Sequence, residues 1–512
     1  MLLRSGIIVA VFTLLSRIFG MFRELFVAST FGTGPNADAV NVAFKLPNLF
    51  RRIFGEGALS SIFVPMFTEK LTHSTQAAEQ FANKIFCLLT ILLIVFTGIM
   101  QYFMPEMMFI VAPGFNHSQE KFDLTVLLCR ITMPYLLFIS LVALVGGMLN
   151  SIGRFAAFAI SPVIMSSIII GGTMIMDNHI ENTHAVAWSV VLAGVLQLFF
   201  MFISMYRNGL RLRMPVVEHD DPDIKKLLKL MVPATISNGV AQMSLFVSQS
   251  IASFIPGAVS ILSYADRIYQ VPMSIIGVTF GTILLPTLSK LYKSGDLEQA
   301  KKTQNDAVKI GLLMSFPCAV AMIVLANPII KLIYEHGAFT SEDTLRTAGA
   351  IAAYAIGLPA FILSKIFMPI FYANQDAKTP MKITIYTIIM NIILNIILMY
   401  PLSHVGIALG TSIAAWYNVF LFVRYARIHQ YFYLTGDMLI YCVKILLSCI
   451  ISGFGTWIIY GAFSTYMHQD HILLESISVL SSILLGFMIY IVTSISFGLL
   501  DMAAMKKLMR KK

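Results

Sequence analysis

Fourteen apolar stretches follow one another along the 512 residues, and each is long enough to cross a bilayer as a helix. They lie near 5–30, 38–66, 84–104, 124–149, 155–176, 184–206, 230–254, 258–289, 308–326, 347–373, 380–400, 405–427, 438–461 and 474–500. About 20 apolar residues traverse the hydrocarbon core as a helix. Hydrocarbon offers no partners to backbone N–H and C=O groups, so each spanning segment must satisfy its own. Only 12% of the residues are charged and 57% are hydrophobic, whereas soluble domains carry about 25% charge. The expectation is an all-α polytopic membrane protein with 14 transmembrane helices.

Several other classes drop out early. The five cysteines (Cys87, Cys129, Cys318, Cys442, Cys449) lie in apolar segments and form no CxxC pair, and the ten histidines show no metal-ligand spacing. MLLRSGIIVAVFTLLSRIFG at the N-terminus resembles a signal peptide, but its apolar run continues to Phe31 without a small-residue cleavage site. It is expected to be the first membrane helix, retained.

Lys and Arg orient the chain. With the N-terminus in the cytoplasm, the outer connections hold three basic residues, Lys121, Lys331 and Arg346. The longest inner loop, YRNGLRLRMPVVEHDDPDIKKLLK (206–229), is basic at both ends, and the chain closes on KKLMRKK. The outer turns FGTGPN and DNHIENTH carry no Lys or Arg. Both termini are therefore expected inside. The net charge of +10 then belongs to a face lying against anionic lipid and needs no nucleic-acid partner.

The chain also repeats itself. SIFVPMFTEK (61–70) resembles TILLPTLSK (282–290), and AVAWSVVLAGVLQLFF (185–200) aligns with GIALGTSIAAWYNVFL (406–421) at the same offset of 221. Between them, GFNHSQEKF through ITMPYLLFIS (114–140) parallels GAFTSEDTL through IGLPAFILSK (337–365). Collinear matches predict two six-helix lobes, 1–206 and 230–430, joined by a cytoplasmic linker at 207–229. Two further helices and a basic tail occupy 431–512. An even-numbered unit repeats in the same orientation, so the pseudo-two-fold runs along the membrane normal, as in transporters whose site lies between the halves.

Charges inside the spans follow helical spacing. Asp38, Asn41, Lys45, Asn48, Arg52 and Gly55/Glu56 form one stripe, with Arg51 at its margin. Thr13, Arg17, Gly20 and Arg23/Glu24 form a second, and Ser260, Tyr264, Arg267, Gln270 and Ser274 a third. Charges at such depth cost about 2.5–3.5 kcal/mol each on insertion scales and face bundle interiors or water-filled cavities. Six bases (Arg17, Arg23, Lys45, Arg51, Arg52, Arg267) stand against three acids (Glu24, Asp38, Glu56). The predicted cavity is cationic, and the planar guanidinium suits phosphate or carboxylate. Internal pairing of Arg23 with Asp38, or Arg52 with Glu56, would remove only part of the surplus. Arg130 and Lys365 lie nearer span ends and read as snorkelling side chains. Asn391 and Asn395, four apart, read as interhelical hydrogen-bonding residues.

SRIFGMFRELFVASTFG (16–32), ADAVNVAFKLPNLFRRIFGEGALSSIFVPMF (37–67), VAPGF (111–115), YADRIYQVP (264–272) and GTILLPTLSK (281–290) together resemble the MurJ (MviN) family of lipid II flippases, in the multidrug/oligosaccharidyl-lipid/polysaccharide exporter superfamily. The resemblance runs the length of the chain. It implies a two-lobed carrier that moves undecaprenyl-pyrophosphate-linked peptidoglycan precursor from the inner to the outer leaflet, with the last two helices forming a groove for the lipid tail. It assigns substrate-binding roles to Arg17, Arg23, Asp38, Arg52 and Arg267. Ser16, Glu24, Lys45, Arg51, Glu56 and Gln270 then belong to the cavity and its gating. At position 270 the family often carries a glutamate, and this chain carries glutamine.

The expected partners are lipid II and membrane lipids, with other cell-wall synthesis and division proteins as further candidates, around a monomer. No cofactor is expected; a coupling ion or the membrane potential would supply energy. A flippase for another polyprenyl-pyrophosphate-linked oligosaccharide fits the charges nearly as well. A drug or cation exporter would need a more acidic cleft, and a scramblase would not select its head group. A membrane glycosyltransferase would have to use EHDDPD (218–223) to hold a metal ion, but no second acidic motif accompanies it.

Overall fold

A computed structural model describes residues 2–53, 60–174, 179–212, 222–433, 436–466 and 472–500. Among the described residues there are helices and turns but no strand. The chain divides into two compact units, one running to Ser260 and including His336–Phe339, the other comprising Ile261–Glu335 and the residues from Thr340 onward.

The first unit contains α1 (Leu2–Phe31), α2 (Pro35–Arg51), α3 (Ser60–His73), α4 (Thr75–Tyr102) and the short α5 (Met104–Val111). A 3-10 turn at Pro113–His117 leads to α6 (Gln119–Thr132), α7 (Tyr135–Ser151), α8 (Ala156–Met174), α9 (His179–Arg207) and α10 (Pro222–Ala252). Pro35 starts α2, where the missing N–H has no intrahelical partner to lose. Ser74 caps α4 by accepting from the Ala77 amide at 3.0 Å. At the centre stands α7, apolar and buried along nearly its whole length. A helix apolar on all sides must be surrounded by others.

The second unit begins within α11 (Ala258–Lys293) and continues through α12 (Leu297–Val324), the short α13 (Ala326–Tyr334) and α14 (Ser341–Ala373). It closes with α15 (Lys378–Ile428), α16 (Asp437–Tyr466) and α17 (Ile472–Ser496). Here α14 takes the central position, started by a capping box between Thr340 and Asp343. A similar order occurs twice along the chain: α4, the short α5 and a turn containing Gly114 precede α6 and α7, and α12, the short α13 and a turn containing Gly337 precede α14. Sequence periodicity missed α5 and α13 because eight or nine residues carry little signal.

Among the described residues, ten helical stretches are long and apolar enough to cross a membrane, one of them joining α6 and α7. Four predicted spans differ in detail. In the span at 38–66 the α-helix ends at Arg51 and a π turn covers 52–53; helix is described again from Ser60, as α3. The span at 124–149 breaks at Met133–Pro134, between α6 and α7. The two spans at 380–400 and 405–427 are one continuous assignment, α15, reversed at Ser403 (φ 53°, ψ −136°). A Cβ on Gly406 would lie 2.0 Å from the Leu398 carbonyl oxygen, and one on Gly410 2.5 Å from Asn395 Oδ1. Glycine there lets the two arms of α15 touch. Asn395 donates to Asn391 (3.1 Å) and Asn391 to Thr411 (3.2 Å), so this pair does bond across the arms.

Prolines inside membrane helices free the carbonyl four residues earlier. Three such carbonyls find donors on other helices. Thr132 donates to Ala43 O at 2.8 Å below Pro47, and Gln101 Nε2 to Arg130 O at 3.3 Å below Pro134. Tyr490 donates to Leu313 O at 2.8 Å below Pro317, which ties α17 to α12.

Candidate substrate-binding site

The stripe on α2 is an ordered set of polar contacts. Asn41 and Asn48 turn back on the helix and donate to Ala37 O (2.9 Å) and Phe44 O (2.8 Å). Arg51 Nε donates to Asn48 Oδ1 at 3.1 Å, which keeps it half-buried against its own helix. Lys45 is also half-buried, whereas Arg52 is exposed, with its Nη1 3.5 Å from Gln242 Oε1 of α10. On α1, Ser16 donates to Thr13 O (2.8 Å) and Arg17 is exposed.

Arg23 does not pair with Asp38. Its Nη2 lies 2.7 Å from Glu24 Oε1, both side chains are nearly buried, and the guanidinium sits 4.7 Å from the centre of the Phe44 ring. Adjacent residues on a helix point about 100° apart, so this pair forms only because Arg23 folds across α2 onto Phe44. Glu56, the expected partner of Arg52, lies outside the described residues, as does 218–221 of the acidic EHDDPD segment. The remaining acid, Asp223, pairs with Lys70 at 2.6 Å.

Asp38 is wholly buried, and its partner is Lys121, with Nζ 2.6 Å from Oδ2. Oδ2 also accepts from the Gly257 amide (3.0 Å), and Oδ1 from the Ser260 amide (2.9 Å) and hydroxyl (2.8 Å). A carboxylate taken out of water is tolerable when its lone pairs are filled this completely. The Lys121 ammonium lies 3.8 Å from the centre of the Phe115 ring. Phe115 ends VAPGF, and the Gly114 amide donates to Ser253 Oγ at 2.9 Å. A Cβ on Gly114 would lie 2.4 Å from the backbone of Ser253 and Phe254, so glycine is required for that approach. Asp38, Lys121, VAPGF and the α10–α11 connection therefore make one charge-centred junction. Sequence reading assigned Lys121 only to an outer loop. Its rarity there, one of three basic residues against the charge rule, was the available signal.

On α11 of the second unit the expected stripe is mixed. Tyr264 is fully buried against Tyr334 (centroids 5.2 Å apart), and Arg267 is exposed. Tyr269 is buried between Tyr354 (4.9 Å) and Phe361 (5.5 Å). Gln270 donates to Asp266, one helical turn earlier. Asp266 was not anticipated. A glutamate at 270 would face it as a like charge at i, i+4, whereas the glutamine amide supplies a donor. Ser274 donates to Val271 O (3.0 Å).

Each unit thus presents guanidinium from the stripes expected in its spans: Arg17 and Arg52 exposed and Arg23 sequestered in the first, Arg267 exposed in the second. Exposed guanidinium forks bind phosphate or carboxylate through paired N–H donors. No group of three or more His, Cys, Asp or Glu that could hold a metal ion occurs among the described residues.

Comparison with known proteins gives a single direction. A family model described as "Lipid II flippase MurJ" matches residues 27–477. The "Probable lipid II flippase MurJ" of Rickettsia prowazekii (strain Madrid E) is 52% identical over 494 residues, covering 96% of this chain and 97% of its own. A solved structure, "Lipid II flippase MurJ, inward closed conformation", superposes with a TM-score of 0.79 at 29% identity, over 96% of this chain and 98% of that one. An inward-facing multidrug resistance MATE family transporter of the MOP superfamily shares the fold, with a TM-score of 0.64 at 15% identity over 83% of this chain and 97% of its own.

Proposed function

The chain belongs to the MurJ lipid II flippase family, and from that premise we propose that it moves lipid II, the undecaprenyl-pyrophosphate-linked disaccharide-peptide, from the inner to the outer leaflet for peptidoglycan synthesis. The observation that carries the reading is the exposed guanidinium of Arg17, Arg52 and Arg267, the last on α11, which is long and apolar enough to cross a membrane. A pyrophosphate-sugar head group cannot enter hydrocarbon because its charges would lose their hydration. Arginine donors replace that water while the polyprenyl tail remains in lipid.

In this reading Arg17, Arg52 and Arg267 bind the pyrophosphate. Arg23, Glu24, Lys45 and Arg51 set the local field, and Gln270 holds Asp266 beside Arg267. Asp38 acts by position: it holds the junction at the start of α2, and its four hydrogen bonds leave little capacity for substrate. Transport proceeds by alternating access, and substrate shifts the inward–outward balance by its differential affinity for the two states. The membrane potential acts on cavity charge at about 2.3 kcal/mol per charge per 100 mV and is the proposed means of resetting the carrier.

Fourteen crossings follow if α15 counts twice and α1, α2 and α10 are added to the ten apolar spans. The polar stripe on α2 makes it less apolar than most other helices of its unit. Both termini then lie in the cytoplasm, following the basic inner loops. The protein works as a monomer beside other cell-wall synthesis and division proteins. Conditional depletion followed by leaflet-specific labelling of lipid II tests the reading. Accumulation on the cytoplasmic side is expected, and an unchanged distribution would overturn it.

A further inference from the structure

Arg130 plays no part in the site above, yet it is the one ionised residue lining a crevice of about 660 Å³ between α4, α6 and α9. Pro134 also lines the crevice. It breaks the helix between α6 and α7 and deprives the Arg130 carbonyl of its intrahelical donor. Gln101, near the end of α4, fills that vacancy with Nε2 at 3.3 Å, and Arg130 Nε donates to Gln101 O at 3.1 Å. This reciprocal pair caps the C-terminal end of α4 with a cation and locks the guanidinium in place. The side chain stays exposed, and no protein acceptor for Nη1 or Nη2 occurs among the described residues.

The surroundings say what those donors meet. Along α4, Val95 and Ile99 are more than half exposed, as are Trp188 and Leu192 along α9. Such a surface on membrane-length helices faces hydrocarbon. Trp188 and Tyr102, 61% and 77% exposed, both line the crevice, and these two residue types mark the membrane–water interface. A fixed guanidinium with two outward N–H groups at that depth matches a phosphodiester oxygen pair. We propose that the Arg130–Gln101–Trp188 crevice is a binding site for the head group of an anionic phospholipid of the surrounding bilayer, seated with its acyl chains along α4 and α9.

The test uses full-length protein in lipid nanodiscs with Trp416→Phe and Trp457→Phe, which leaves Trp188 as the sole tryptophan of three. Quenching of Trp188 by bromine-labelled phosphatidylglycerol is compared with quenching by bromine-labelled phosphatidylcholine. The anionic lipid should reach half-quenching at about one-fifth the mole fraction of the zwitterionic one, the factor expected of one basic residue near anionic lipid. Arg130→Gln should abolish the difference. Arg130→Lys, which keeps the charge and loses the fork, should retain a smaller preference in the same direction and guards against a folding defect in the glutamine variant. Equal quenching by the two lipids in the parent protein overturns the proposal, as does a preference that survives Arg130→Gln. Displacement of the anionic lipid by millimolar inorganic phosphate would point to a soluble anion and overturn the lipid assignment.

Discussion

Asp38→Asn is the sharpest perturbation of the Asp38 junction, because it changes charge and hydrogen-bonding sense without changing volume. The asparagine oxygen can still accept from the Ser260 amide and hydroxyl. Its NH2 then faces the Gly257 amide and the Lys121 ammonium, both donors, at 3.0 and 2.6 Å. Lys121, only 11% exposed, loses its counter-charge. Removing one partner from a buried pair costs about 3–5 kcal/mol. At 1.4 kcal/mol per decade, opening of the junction should become about a hundredfold to a few thousandfold more frequent. Hydrogen–deuterium exchange of peptides covering 255–262 reads this directly, since the Gly257 and Ser260 amides are the donors. Lys121→Met completes a double-mutant cycle with a coupling of at least about 1 kcal/mol, within the range for residues in contact. Exchange at 257 and 260 within twofold of the parent, or a coupling below about 0.5 kcal/mol, would refute the assignment of this junction as a charge-centred lock.

Arg52→Glu and Arg267→Glu should each abolish lipid II movement while the purified protein keeps its thermal transition. Full activity in leaflet-specific labelling would sink the transport reading. Thr132→Val should lower stability by about 1–3 kcal/mol, the cost of leaving Ala43 O unsatisfied beneath Pro47, and Thr132→Ser should restore most of it in detergent melting curves. Gly406→Ala should cost about 1–3 kcal/mol or more, because its methyl group meets the Leu398 backbone, which cannot step aside; an unchanged melting temperature would contradict the close crossing within α15. Asp376 lies in the turn between α14 and α15. Burial alone would raise its carboxyl, but the Thr379 hydroxyl and amide, with His429 nearby, outweigh that and hold it below the usual carboxylate value. Its stabilising contribution is therefore present above that value and is lost as pH falls through the depressed one, so Asp376→Asn should lower stability at neutral pH and match the parent in strong acid.

The membrane class and the all-helical character were legible in the sequence because each rests on local composition or on periodicity along one chain. Ten helical stretches among the described residues are long and apolar enough to cross a membrane, and Pro134 and Pro359 each mark the central helix of a unit. The polar stripe on α2 was legible for the same reason, since spacing of three and four residues places side chains on one face whatever surrounds them. Partner choice was not. Arg23 took Glu24 and Phe44, and Asp38 took Lys121, 83 residues away. Spacing along a helix says which way a charge points and nothing about which distant helix arrives to meet it. The same limit hid Thr132 beneath Pro47, Gln101 beneath Pro134 and Tyr490 beneath Pro317. A proline in the sequence shows which carbonyl is left open; packing of separate helices in a medium without water decides which donor must close it.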